Sequence, residues 1–233
     1  MGIIAPIVGI PGVRAAKTAA HKVIFKGGVE GFLPGGKLID GNASRDSSNV
    51  GEETNLQAGL IMGKIAATGL YAPSVLGVTT VAVLAGATTI TMSVAAATEL
   101  LRRVGASGTF KITGPPVASG TVVTETITYS SGVASTGVIT CTATVGAYII
   151  GSYIQPTDGS ELPVCPLPDG WPLPVANLDG TIQSIIQFPL LPTDGQLDVT
   201  QVINYPTDPS MILWLKARLN GAGGAFYSFS DHY

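Results

Sequence analysis

Threonine takes every second position along two consecutive runs of this chain, and that alternation suits only an extended backbone. In the first run Val123, Ile127 and Tyr129 fall on one side, with Thr124, Thr126 and Thr128 on the other. In the second, Ile139, Cys141, Ala143 and Val145 alternate with Thr140, Thr142 and Thr144. A strand sends successive side chains to opposite faces, so each run predicts an apolar row inward and a threonine ladder outward. Together they predict a half-buried antiparallel hairpin whose inner face needs a cover.

The cover is legible just upstream. Thr89 to Val94 alternates as a short strand, and Ser93 is placed as an N-cap. Ala97, Leu100, Leu101 and Val104 then recur at helical spacing, Arg102 and Arg103 suit the negative end of the dipole, and Gly105 stops the helix. The spacing predicts one helix at about 94–104. Thr109 to Thr113 reads as a strand closed by Gly114-Pro115-Pro116, so residues 81–155 form an α+β module able to bury its own core.

The rest of the chain reads differently. Leu56 to Ile65 and Ala72 to Thr80 predict two strands joined around Thr68-Gly69. After Gln155 prolines multiply, and Pro156-Thr157-Asp158-Gly159, Pro192-Thr193-Asp194-Gly195 and Pro206-Thr207-Asp208-Pro209 read as turns between strands. Further strands are expected at about 181–188, 197–204 and 211–219, with a last turn at Asn220 to Gly224 and an aromatic tail of Phe226, Tyr227, Phe229 and Tyr233. The expected fold is mainly β: a sandwich- or barrel-like core from 56–80 with 156–233, carrying the α+β insertion at 81–155.

Residues 1–55 lack periodicity and are punctuated by glycine, as in Gly27-Gly28, Pro34-Gly35-Gly36 and Asp40-Gly41-Asn42. Such a segment offers too little apolar area to fold on itself. Yet Ile3, Ile4, Ile7, Val8, Ile10, Phe25 and Phe32 are adhesive. An extended arm lying on a partner accounts for both features, as does an arm packed on its own domain. These seven residues, with Phe226, Tyr227 and Phe229, are the candidate interface residues.

Composition points the same way. Charged residues make up only 12% of the 233 residues, about half the usual share, while the apolar fraction is an ordinary 45%. Threonine, serine, alanine and glycine must then cover the surface, which suits close packing in an assembly. The net charge is −3 and no basic stripe exists, which argues against nucleic acid as a partner. Met1 to Pro11 lacks a basic leader and contains Pro6 and Pro11, so it does not read as a signal peptide, and Pro6 spoils a myristoylation motif at Gly2. No apolar run is long enough to span a bilayer, so no membrane partner is expected.

Chemical motifs are weak. Gly31-Phe32-Leu33-Pro34-Gly35-Gly36-Lys37 has phosphate-loop spacing, but Leu38 replaces the magnesium-binding Ser or Thr and no helix pattern follows. The Gly221–Gly224 cluster follows an expected strand, but too few residues remain after it for a βαβ unit. The only histidines are His21 and His232, neither at the end of an expected strand, so nucleophile–base catalysis is not expected. Asp158, Asp169, Asp179, Asp194 and Asp208 sit in turns whose backbone explains them, without a calcium-loop pattern. Cys141 and Cys165 fit no metal spacing and read best as two inert small residues, a disulfide being the alternative. No catalytic, cofactor-binding or metal-binding residue is expected.

Four segments carry a family resemblance: Asp40-Gly41-Asn42-Ala43-Ser44-Arg45-Asp46, Leu56 to Ile65 with Tyr71-Ala72-Pro73-Ser74, Arg102 to Phe110, and Ile154 to Ser160. With these the chain resembles the head-decoration, or cement, proteins of tailed bacteriophages over roughly residues 40 to 160. The resemblance implies a β-rich fold, homotrimers on the outer capsid surface, and contacts with the major capsid protein near local three-fold positions. It implies a virion protein made in the host bacterial cytoplasm, with no enzyme activity and no cofactor. A tail-tube or tail-completion protein, or a fibre or adhesin module, is the alternative.

Overall fold

A computed structural model describes residues 24–25, 37–41, 55–168, 171–172, 185–188, 191–221 and 226–230. In chain order the first strands are β1 (Lys37–Asp40), β2 (Asn55–Leu56), β3 (Ile61–Lys64), β4 (Tyr71–Pro73), β5 (Gly77–Val78) and β6 (Thr89–Thr91). Helix α1 (Val94–Val104) follows, then β7 (Gly108–Gly114), β8 (Val123–Val133), β9 (Val138–Cys141) and β10 (Tyr153–Gln155). The last part holds β11 (Pro163–Pro166), β12 (Trp171–Pro172), β13 (Ile185–Phe188), β14 (Asp194–Asp198), α2 (Pro209–Gly221) and β15 (Phe226–Ser230). The fold is mainly β, as the alternation predicts.

Two sheets dominate. One has five strands in the order β11-β3-β4-β1-β13, the other six in the order β5-β10-β7-β8-β9-β6. The threonine-rich runs pair as β8 and β9, and β7 flanks β8 antiparallel with Thr109 opposite Thr128 and Thr113 opposite Thr124. Inside lie Phe110, Ile112, Ile127, Tyr129, Ile139 and Cys141. The inward row is shorter than expected at both ends. Val123 is exposed, and beyond Cys141, where β9 stops, the alternation inverts: Ala143 and Val145 face solvent while Thr144 is buried. Thr144 is tolerated inside because its hydroxyl donates to the Leu84 carbonyl at 2.8 Å.

Helix α1 covers this sheet. The Ser93 hydroxyl accepts the Ala96 N–H at 3.1 Å, and the Gly105 N–H closes the other end on the Leu101 carbonyl. Ala96, Ala97 and Leu100 are buried, with Leu101 and Val104 packed at the margin. Burying a leucine such as Leu100 contributes roughly 2 kcal/mol. The helix comes so close to β5 that a Cβ at Gly77 would lie 2.2 Å from that of Ala96.

The second core joins Ile39, Leu56, Leu60, Met62, Cys165, Leu191, Leu197, Leu215 and Leu219, among others. Ile24 and Ile39 belong to it, and Phe25 bridges Leu197, so these parts of the N-terminal segment lie on the chain's own domain. A small third group, Val75, Tyr153 and Met211, links the two cores, with Tyr153 edge-on to Trp214.

Several expectations are corrected. The run 56–65 is not one strand: it breaks at Gly59, whose φ is +90° and whose missing Cβ lets the Gln201 carbonyl approach. Residues 197–204 carry only the end of β14, followed by a 3-10 turn at Val199–Gln201. Residues 211–219 form not a strand but α2. Asp208 caps it by accepting the Ser210 and Met211 N–H groups, Pro209 supplies its first turn, and Met211, Leu215 and Leu219 bury one face at i, i+4 and i+8. The continuous Met211–Leu215 apolar run hides this stripe, because Ile212, Leu213 and Trp214 fall on the other sides. Pro206-Thr207-Asp208-Pro209 is thus a helix start, not a turn between strands. Since β14 and β15 are parallel, with α2 between them, residues 194–230 form a βαβ crossover, contrary to the expectation that too few residues remain for one. The strand expected at 181–188 is described only as β13.

Candidate functional site

The sequence-predicted interface residues do not gather in one place. Ile3, Ile4, Ile7, Val8, Ile10 and Phe32 lie outside the described residues. Phe25 is half-buried on the second core, 6.3 Å from the Tyr227 ring. Tyr227 is buried and its hydroxyl donates to the Pro192 carbonyl at 2.5 Å, while Phe229 packs on the same core beneath the Lys216 ammonium. Phe226 stands in β15 opposite Asp194. The described part of the aromatic tail therefore docks on its own chain.

Nor do the weighed motifs assemble a chemical centre. Lys37 opens β1, and the rest of the phosphate-loop-like run and both histidines fall outside the described residues. Cys141 and Cys165 are both free and sit in different cores. Burial pushes the Cys165 thiol up to about 12, which keeps it protonated and unreactive. Among the described residues no group of three or more His, Cys, Asp or Glu side chains is placed to hold a metal. No described helix is long and apolar enough to cross a membrane.

Charge is instead sorted to one side of the six-stranded sheet. Arg103, at the end of α1, donates to the Pro73 carbonyl at 2.7 Å, to Asp158 at 2.9 Å and to the Ser160 hydroxyl at 2.5 Å. Lys111 of β7 meets Glu161 at 2.6 Å, and Glu99 pairs with Arg102 one helical turn away. Glu161 also accepts the Gly159 N–H, and the Asp158 carbonyl accepts from Ala66 N–H. Gly63 leaves space for the Ser160 carbonyl, where a Cβ would sit at 1.9 Å. Three of the four segments behind the family resemblance thus meet at one seam between the two sheets, where they bind each other.

Among the described residues, the opposite end carries almost no charge. No charged residue stands between Lys64 and Glu99, and only Glu125 stands between Lys111 and Asp158. Three loops are tied together there. The Val83 and Tyr148 backbones bond each other, the Gly86 N–H donates to the Thr144 carbonyl, and the Ile149 N–H donates to the Pro115 carbonyl. These loops present Val145 at 86% exposure, Leu84 at 73%, Val117 at 63%, Ile150 at 62% and Val81 at 56%. Asp208 reaches this end through its carboxylate, which accepts the N–H groups of Ser119, Ser210 and Met211. This end, lined by aliphatic side chains on tied loops, can bury apolar area against another protein without stranding a charge.

Attention to adhesive aromatics misses this surface. The signal that finds it is the pair of charge-free stretches, which flank both β7 and its helix.

Known protein families, curated proteins and solved structures were compared with this chain, and none matches it.

Proposed function

We propose that the chain is a structural virion protein that decorates and stabilises the outer face of a bacteriophage capsid, bound to the major capsid protein and to copies of itself. The observation that carries the reading is the separation of charge. The paired ionic groups lie on the seam between the sheets, and the far end offers Leu84, Val145, Ile150 and their neighbours to solvent on loops whose own sequence carries no charge. The family resemblance supplies the identity of the partner. No enzymatic step, cofactor or nucleic acid enters this reading.

A cement protein must hold several shell subunits at once. A trimer gripping several of them turns modest single contacts into high avidity, with effective local concentrations on the order of millimolar. Apolar burial of this kind is insensitive to salt, because screening acts on exposed charge pairs.

The experiment is to mix purified protein with bare expanded heads of a tailed phage, sediment them, and image the pellet. The expected result is co-sedimentation that changes little up to about 0.5 M salt, with density at local three-fold positions. Protein that stays in the supernatant, or that forms rings or tubes alone, contradicts the reading; tubes favour a tail-tube subunit.

A further inference from the structure

Glu125 is the single charge in the long neutral stretch, and the chain itself uses that charge completely. One carboxylate oxygen accepts the Val145 N–H at 2.8 Å. The other accepts the Gly146 N–H at 3.0 Å and the Tyr148 hydroxyl at 2.8 Å. Three donors from one short loop therefore converge on a side chain borne by a different element, β8. Bonds from N–H groups to a carboxylate are charge-assisted and about twice as strong as neutral ones.

The loop so held contributes little to the core through its tip. Val145 is the most exposed of the large apolar side chains among the described residues, at 86%. Next to it Thr144 is buried, anchored to the Leu84 carbonyl, and Gly146 leaves no room for a side chain, since a Cβ there would lie 2.9 Å from the Tyr148 hydroxyl. An apolar tip surrounded by water gains nothing from being fixed. A tip that must enter a partner's surface gains affinity, because ordering it beforehand removes that cost from binding.

We propose that Glu125 is a positioning residue for docking: it holds the Val145–Gly146 turn in place so that Val145 and Leu84 are presented together to an uncharged, apolar surface of a shell subunit. The inference rests on reading this end of the molecule as the docking surface.

Among the described residues, the titratable groups that face Glu125 are the Tyr148 hydroxyl and the Cys141 thiol of β9. Burial first, and then the neighbouring carboxylate, push both above their ordinary values, so both stay neutral at neutral pH. Burial also pushes the Glu125 carboxyl up. The Val145 and Gly146 N–H groups and the Tyr148 hydroxyl outweigh it and leave the group below its ordinary 4.5. The charge that holds the turn is therefore lost, and the clamp weakens, as pH falls through that lowered value.

The test follows amide exchange and chemical shifts in the full chain, comparing wild type with Glu125→Gln, a neutral side chain of the same shape. The expected result is exchange about tenfold faster at Val145 and Gly146 in the variant, with the rest of β8 and β9 unchanged. In wild type both amide signals should move together below pH 4.5, and in the variant they should not. Equal exchange rates and no shared titration overturn the clamp. Binding to bare phage heads is then measured for Glu125→Gln and for Val145→Asp. Weakening by both supports the proposal. If only Val145→Asp weakens binding, the docking surface stands and the positioning role falls; if Val145→Asp binds as wild type, the docking reading itself fails.

Discussion

The Arg103 guanidinium lies 2.9 Å from the Asp158 carboxylate, and only 4% of the arginine side chain is exposed. That pair fastens the last turn of α1 to the loop leading into β11, and so joins the six-stranded sheet to the five-stranded one. Asp158 keeps 37% of its side chain in contact with solvent, which screens part of the attraction.

Arg103→Leu should destabilise the protein by about 2 kcal/mol, since a half-buried carboxylate and the Pro73 carbonyl lose their donor. The check is the urea midpoint at neutral pH. A midpoint equal to wild type would show that the seam is held by packing alone.

The same pair sets an acid limit. Burial pushes the Asp158 carboxyl up, but the Arg103 charge and the Ser160 N–H and hydroxyl outweigh that and leave it below its ordinary 3.8. A group lowered on folding adds stability above the unfolded value and loses it as pH falls through the folded one. Wild type should therefore lose urea stability below about pH 3.8 more steeply than Arg103→Leu, whose Asp158 has lost the positive charge that lowers it most. Parallel curves for the two proteins would contradict this.

Gly63→Ala should cost about 3 kcal/mol or more, because the new Cβ would lie 1.9 Å from the Ser160 backbone carbonyl and 2.7 Å from that of Leu162. Neither is a flexible side-chain end that can move aside. Gly221→Ala, at the end of α2 with nothing within 4 Å, should change stability by less than about 1 kcal/mol. Thermal melts of the two variants side by side decide the matter.

Removing the α2 cap in Asp208→Ala should cost about 1–2 kcal/mol, because the Ser210 and Met211 N–H groups and that of Ser119 lose one shared acceptor. Asp208→Asn should retain most of the stability, since its amide oxygen still caps. Chemical denaturation followed at 222 nm would show an equal loss in both variants if the cap were unimportant.

Cys141 and Cys165 should stay reduced and unreactive in the folded protein. Each is buried in a different core, and burial pushes both thiols up. A thiol reagent at pH 8 should label neither until denaturant is added, and a disulfide-linked native form would refute the placement.

What was readable in the primary structure follows local physics. The threonine alternation of β8 and β9, the Ser93 cap, the Arg102-Arg103 end and the Gly105 stop each act within a few residues, and each appears in the fold. Helix α2 was equally local in origin, with Asp208, Pro209 and the Met211, Leu215, Leu219 stripe, but the apolar residues on its other sides masked the period. The candidate surface was half visible: two charge-free stretches mark it, while the choice of Val145 and Leu84 as its tips was not marked.

The sequence by itself determined the mainly β character, the position of α1 and the scarcity of charge, because periodicity, capping and composition act over short distances or over none. Only the tertiary structure decided that Arg103 would reach Asp158 across 55 positions, that Tyr227 of the aromatic tail would turn inward onto Phe25, and that Glu125 would take hold of the loop after β9. Those outcomes depend on which distant backbones come within hydrogen-bonding reach once both cores are packed, and no local pattern of residues encodes that distance.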